Sequence, residues 1–337
     1  MSSAHLRVTH AGPLVSVQDA GRFRQLRYGV SPSGPMDRAA HAIANAALGY
    51  PEDATAIEVS LGGLVLECRE GAVTFAIAGG AFSVNCGGKA SASWGVHTLH
   101  EGQKLTIRGG SWGSWCYVAF AGNLSSQDWL GSTATHSMTK FGGGLLQSGQ
   151  TLEITDAKVL ADRVGDLPCP AFAHPDGTVH VVVGPQDQHF PQASIETFLN
   201  TAYRLTDKFD RMGLRLDGPI LELSEALSIP SEPIVRGSVQ VSGDGAPTIL
   251  LSDHQTMGGY PKVATVVSCD LDRLCQMRAS DRVKFVAVTP EQAIQLTRAE
   301  ATRRRDYMDE LSLPRTSLTE RLLSENLVSG VINATDR

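Results

Sequence analysis

The run DHQTMGGYPK, Asp253 to Lys262, places a carboxylate, an imidazole, an amide, a hydroxyl, a phenol and an amine within ten positions. Such groups take up, release or steer protons when they are held within hydrogen-bond reach of a ligand. Gly258, Gly259 and Pro261 break a helix. A strand interior would not carry so many polar groups in succession. The segment is therefore expected to be a structured loop with a chemical or adhesive purpose. It follows the strand-like stretch VRGSVQVSGDGAPTILLS, which carries Arg236 and Gln240.

Three further polar clusters stand out. SVQDAGRFRQLRYGVSPSGPMDR, Ser16 to Arg38, combines Gln18, Asp19 and four arginines with two turns marked by Gly and Pro, and equally suits a solvated loop. TDKFDRMGLRLDGP, Thr206 to Pro219, sets Asp207, Asp210, Arg211 and Arg215 around Met212 and Gly213. MTKFGGGLLQSG is glycine-rich enough for a ligand or a partner backbone to approach closely. The chain has no G-x-x-x-x-G-K-[ST] phosphate loop, no G-x-G-x-x-G between a strand and a helix, no G-x-S-x-G elbow and no Met-Lys-Met biotinylation site. Nucleotide or biotin chemistry would have to come from another polypeptide. His97 and His100 lack a thiol or carboxylate at metal-ligand spacing, so no metal site is expected. The six scattered cysteines read as reduced, buried thiols.

The elements that must position these groups are mostly strands. Short alternating runs such as LRVTHAG, AIEVSLGG, GAVTFAIAGG, CYVAFAG, TVHVVVGP, PTILLSD and RVKFVAVTP end in Gly, Pro or Asp, and their number points to barrels or sandwiches. Helices are expected in SGPMDRAAHAIANAALGYPED, with Asp37 near the start, in SIETFLNTAY and in TPEQAIQLTRAEATRRRDYMDEL. Leu99–Gly109, Leu145–Thr155 and Gln276–Val286 share one grammar, a polar turn followed by a strand, which mildly supports two related β domains. The irregular DAKVLADRVGDLPCPAFAHPDG is the expected linker. It separates a domain over residues 1–160 from one over 178–290, and a helical tail covers 291–337. With 337 residues, 42% of them hydrophobic, and a net charge of −6, the chain fits a two-domain globular protein without the basic footprint of a nucleic-acid binder. No apolar run approaches the roughly 18–20 residues of a membrane span, and the polar N-terminus lacks a secretion-signal core, so a cytoplasmic location is expected.

SVQDAGRFRQLRYGVSPSGPMDRAAHAIANAALGYPEDATAIEVSLGG and DKFDRMGLRLDGP, together with VQVSGDGAPTILLSDHQTMGGYPKVATVVSCDLDRLCQMRASDRVKFVAV, resemble the biotin-dependent carboxyltransferase family related to allophanate hydrolase subunit 2. That family includes the C subunit of 5-oxoprolinase and one half of the carboxyltransferase region of urea carboxylase. The resemblance runs in order over about residues 7–290. It departs from the pattern in LGSTATHSMTKFGG, where His136 and Lys140 replace an Arg/Tyr pattern, and at Met257, where a smaller residue is usual. The tail is an addition to the core.

The resemblance implies two tandem cyclophilin-like β-barrels with a few short helices. It also implies a subunit-1-like partner chain, with the active cleft between the two, and a possible third catalytic or biotin-carrying subunit. Three activities follow as alternatives. The first is a subunit of 5-oxoprolinase, opening 5-oxoproline to glutamate with ATP. The second is a carboxyltransferase component acting on urea or a similar small amide. The third is a non-catalytic regulator that binds the same partner. ATP or carboxybiotin would be supplied through partner subunits, with none bound by this chain alone. The reactions of the first two alternatives require a cation for a developing oxyanion and a base or acid nearby. Arg211 and Lys262 are the cation candidates, Asp253 is the base or orienting carboxylate, and His254 and Tyr260 are alternatives for proton transfer. Gln255, Thr256, Gln240 and Arg236 would contact substrate, with Gly258 and Gly259 folding the loop so that Lys262 points toward Asp253. The competing readings are a loop that only docks the partner chain and a buried Asp253–Lys262 pair that serves as a structural bridge. Gln18, Asp19, Ser33, Asp37 and Arg38 are assigned to the partner interface, although Asp37 also suits an ordinary helix cap.

Overall fold

The computed structural model describes residues 2–224 and 229–312. The fold is mainly β. The strands up to Asp166 form two sheets, one of seven and one of six strands, that enclose a core containing Leu6, Val8, Val59, Phe75, Ile107 and Val118. The strand Trp115–Phe120 is buried along its whole length. Cys116, Val118 and Phe120 enter the core between the sheets, while Trp115, Tyr117 and Ala119 face the other way. A strand with two covered faces has no polar side, which explains its continuous apolar sequence.

Helix α1 (Arg38–Ala46) covers that second face with Ala40, Ile43, Ala44 and the following Ala47. The Asp37 side chain caps it by accepting the Ala40 amide at 2.9 Å, as the sequence predicts. Gly49, at φ 77°, ends the turn after it in a conformation that favours glycine.

The strands from Thr178 onward close into a seven-stranded barrel. Its first strand, Thr178–Val183, pairs in parallel with its last, Arg282–Ala287, in a register that sets Thr178 against Lys284. Of the two expected barrels, hydrogen bonding closes this one. The strands of the N-terminal half divide between two stacked sheets instead. Val181, Leu205, Leu216, Val239, Ile249 and Phe285 belong to one continuous core that also includes Trp115 and α1 residues, so the halves share packed interior. Helix α2 (Gln192–Asn200) brings Phe198 onto Phe285, the rings 4.4 Å apart and stacked. Helix α3 (Leu271–Cys275) is an addition to the helices expected from the sequence. It is a single short turn following a 3₁₀ segment, too brief to leave a periodic signal.

Helix α4 (Pro290–Ser312) returns across both halves. Tyr307 donates to the Pro168 carbonyl at 2.7 Å, and Arg304 binds Asp272 at 2.8 Å. The later tail residues, including LTERLLSENLVSG, lie outside the described residues. Among the described residues no helix is long and apolar enough to cross a membrane.

Phe285 is buried among Phe198, Tyr203 and the barrel wall. Replacing it with alanine should cost about 3–5 kcal/mol. We expect a lower urea midpoint with an unchanged native far-ultraviolet spectrum, and an unchanged midpoint would contradict the packing.

Candidate active site

The loop from Asp253 is built around a buried cation that comes from elsewhere in the sequence. Arg211 precedes the strand Gly213–Asp217 and is fully buried. Its Nε and Nη2 donate to the two oxygens of Asp253 at 3.0 and 3.1 Å, its Nη1 pairs with Glu58, and Nη2 also reaches the Gly34 carbonyl at 2.6 Å. Glu58 lies on the fully buried strand Ala56–Ser60. Its second oxygen accepts the Tyr117 hydroxyl at 2.7 Å and the Met36 amide at 2.8 Å. Asp253 further accepts the Ser137 amide at 2.9 Å. Two acids from opposite halves therefore clamp one guanidinium.

The electrostatics follow from burial and pairing. Burial works against the charge on Arg211, and Asp253 and Glu58 outweigh it, so its pKa rises. Burial pushes the Asp253 carboxyl up, but Arg211 and the Ser137 amide overcome this and hold it below the ordinary carboxylate value. Burial, reinforced by Glu58, drives the Tyr117 phenol well up, so it stays protonated and donates. Burial lowers His254, whose Nδ1 lies 2.6 Å from the Gln255 carbonyl. That contact suits a neutral ring protonated at Nδ1, with Nε2 left as an acceptor.

Lys262 does not meet Asp253. It sits in the strand Lys262–Val266, nearly inaccessible, with Nζ 4.0 Å from Glu232 and no hydrogen-bond acceptor among the described residues. Burial lowers its pKa, and Glu232 opposes the shift. The expected Asp253–Lys262 pairing is thus replaced by two separate ones, because Arg211 offers Asp253 a two-pronged fork that a lysine cannot.

Gly258 pairs with Glu232 in a short two-stranded ladder, and the Ile229 carbonyl lies 2.8 Å from where a side chain on Gly259 would begin. The glycines admit the 229–233 segment rather than turning Lys262 inward. Gln255 and Thr256 are half-buried, with the Thr256 carbonyl accepting the Ile234 amide at 3.1 Å. Met257 and Tyr260 are exposed and form the rim of the loop. Gln240 stands opposite Lys262 in the barrel register. Arg236 donates to the Pro35 and Met36 carbonyls ahead of α1, and its charge adds to the lowering of His254.

The interface assignment also changes. Gln18, Ser33 and Asp37 are buried within the chain and cannot offer side chains to a partner. Gln18 donates to the Ser16 hydroxyl and the Thr135 carbonyl, and Asp37 accepts from Gln276 at 2.7 Å. Asp19 is half-buried and ties Gly21 to Ser132 and Thr133, so Arg38 is the exposed member of the set. Sequence reasoning misses Glu58 and Tyr117. The available signal is an acid in the middle of AIEVS, a strand whose other residues before Ser60 are apolar.

A family model described as carboxyltransferase domain, subdomain A and B, matches residues 28–287. The chain belongs to that family. This carboxyltransferase-domain chain is 32% identical over 286 residues to the C subunit of 5-oxoprolinase from Haemophilus influenzae, covering 84% of its own length and 91% of the relative's. It is 30% identical to the C subunit of 5-oxoprolinase from Escherichia coli, over 86% of its length and 93% of the relative's. The crystal structure of the K. lactis urea amidolyase superposes with a TM-score of 0.79 at 25% identity over 91% of the chain, which spans 20% of that larger protein.

Removing the cation should expose the strain of the clamp. Arg211→Met leaves two buried acids unpaired and should destabilise the carboxyltransferase-domain fold by about 3–5 kcal/mol, read by urea unfolding. The depressed Asp253 carboxyl makes a separate prediction with a definite sign. Its stabilising contribution is complete above the unfolded value of about 3.9 and is lost as pH falls through the lower folded value. The urea midpoint of Asp253→Asn should therefore fall less steeply than that of the unmodified chain between about pH 4 and pH 2. Parallel acid profiles would remove Asp253 from this role.

Proposed function

We propose that this chain is the C component of a hetero-oligomeric 5-oxoprolinase, which opens 5-oxoproline to glutamate at the expense of ATP. The supporting observation is near full-length correspondence. The relatives named as the C subunit of 5-oxoprolinase are matched over 91% and 93% of their length, whereas a protein named urea amidolyase is matched over 17% of its length.

The active cleft is shared with a subunit-1-like partner seated against the rim at Met257 and Tyr260, and a third chain completes the assembly. Lys262, an ammonium without a hydrogen-bond acceptor of its own among the described residues, stabilises the oxyanion that develops on the lactam carbonyl. His254, neutral with Nε2 free to accept, or the Tyr260 phenol, handles the proton. Gln255, Thr256 and Gln240 orient the substrate. Asp253 is better suited to positioning than to acting as base, since its oxygens are committed to Arg211 and Ser137. ATP enters only as a molecule delivered by a partner.

A second reading keeps the same loop in a biotin-dependent carboxyltransferase acting on urea or a similar amide, with carboxybiotin carried in by a partner. It is favoured by the family model and by the likeness to the K. lactis urea amidolyase.

The deciding measurement is ATP-dependent glutamate formation from 5-oxoproline, using this chain with its co-encoded partner chains and with each omitted in turn. Glutamate should require this chain, and Lys262→Ala should lower kcat by about 10²–10³-fold in an assembled complex. Full activity of Lys262→Ala would reduce the chain to a binding role. A soluble, assembled complex that forms no glutamate would transfer the assignment to carboxyl transfer.

A further inference from the structure

Three arginines from distant parts of the chain converge beside the first turn of α1. Arg38 opens that helix, Arg236 precedes the strand Ser238–Val241, and Arg304 comes from α4. Together with Ser268 and Thr297 they line a cavity of about 200 Å³. Arg38 and Arg304 also line a larger one of about 520 Å³ that extends along α1 and α4.

Acceptors in this region are fewer than donors. Asp272 accepts Arg304 at 2.8 Å and the Arg38 and Ala39 amides at 3.2 Å, with Arg236 standing 3.9 Å away. Glu300 is taken by Arg303 at 2.7 Å and by Arg304 at 3.3 Å. Among the described residues, no hydrogen bond or ion pair holds the Arg38 guanidinium, and Arg236 Nε is buried without an acceptor. Three arginines, Arg38, Arg236 and Arg304, line the smaller cavity with two acids, Asp272 and Glu300, while Asp37, raised toward its neutral form, lies close enough to act on Arg304. The nearby Arg236 charge, joined by burial, pulls the Arg38 guanidinium down to about 10. Like charges held this close are relieved by an anion between them, and a planar guanidinium fork suits carboxylate and phosphate oxygens.

We propose that this cavity binds a small oxyanion, a carboxylate or phosphate group, gripped by the free fork of Arg38 with Arg236 and Arg304 behind it and the Ser268 hydroxyl donating from the wall. No residue of the 253–262 loop lines the cavity, although the Arg236 and Arg38 charges act on His254, and its occupancy does not depend on the 5-oxoprolinase reading.

Isothermal titration of the full-length chain at low ionic strength, with inorganic phosphate and with succinate as probes, tests it. At least one probe should bind saturably with one-to-one stoichiometry, and Arg38→Gln should weaken that binding tenfold or more. Because no hydrogen bond or ion pair among the described residues holds the Arg38 guanidinium, this variant should keep the unmodified melting temperature. Phosphate alone or succinate alone assigns the ligand class. Arg305→Gln removes the same charge from the wall of the larger cavity and should leave the affinity unchanged. No saturable binding by either probe, or equal losses in the Arg38 and Arg305 variants, would overturn the site.

Discussion

One buried cation organises the molecule. Arg211 has no contact with water, yet every side of its guanidinium meets an oxygen, from Asp253, Glu58 or the Gly34 carbonyl. Taking such a charge out of water is unfavourable by several kcal/mol per ion, and only close geometry with further hydrogen bonds recovers that loss. Here the recovery draws on both halves of the chain at once. Glu58 belongs to the N-terminal sheets, whereas Arg211 and Asp253 sit at adjoining ends of two paired barrel strands, Gly213–Asp217 and Pro247–Leu250. The halves cannot slide against each other without stripping a charge of its partner, so the seam between them is set in register as well as packed.

The same logic repeats along the seam with weaker partners. Gln276 accepts the Ser114 and Trp115 amides through its oxygen and donates through its nitrogen to Asp37, the cap of α1. Arg278 donates to the Gly110 and Gly113 carbonyls. Asp272, from α3, accepts the first free amides of α1 and so places a carboxylate at the positive end of that helix. Burial and this neighbouring charge push the Asp37 carboxyl up to about 7, the electrostatic consequence of setting two acids beside one helix start. Polar groups that resemble surface chemistry in the sequence are, in this seam, mostly the fastening of one half to the other.

That distinction marks the limit of what residue order reveals. Alternation and turn residues identify the strands, and Asp37, Gly49 and Pro290 correctly bracket helices. Local chemistry is enough for those features. The partner of Asp253 is not legible, because Lys262 is close in sequence while Arg211 becomes close only once the barrel forms. Glu58 is hidden for a related reason: nothing in AIEVS says that its second face will be covered by the other half. Gln18, Ser33 and Asp37 look like surface residues because they sit among arginines and turn residues, but burial depends on what later folds over them. The loop itself is legible as a loop, and its glycines make room for a neighbouring backbone.

The closure of the barrel by its first and last strands bears on how the protein emerges from the ribosome. Until Arg282–Ala287 has been synthesised, the strand Thr178–Val183 has no parallel partner and the barrel stays open. Asp253 and Arg211 lie between those two strands in the chain, so both have been synthesised before the strand that closes the barrel. The N-terminal sheets are translated well before this. Through that interval they carry Glu58 with only the Tyr117 hydroxyl and the Met36 amide to satisfy it, and Trp115 without the Phe209 ring that the barrel later sets against it. The nascent chain is therefore most vulnerable to misassociation when it is more than half made, and completion of a single strand ends that exposure.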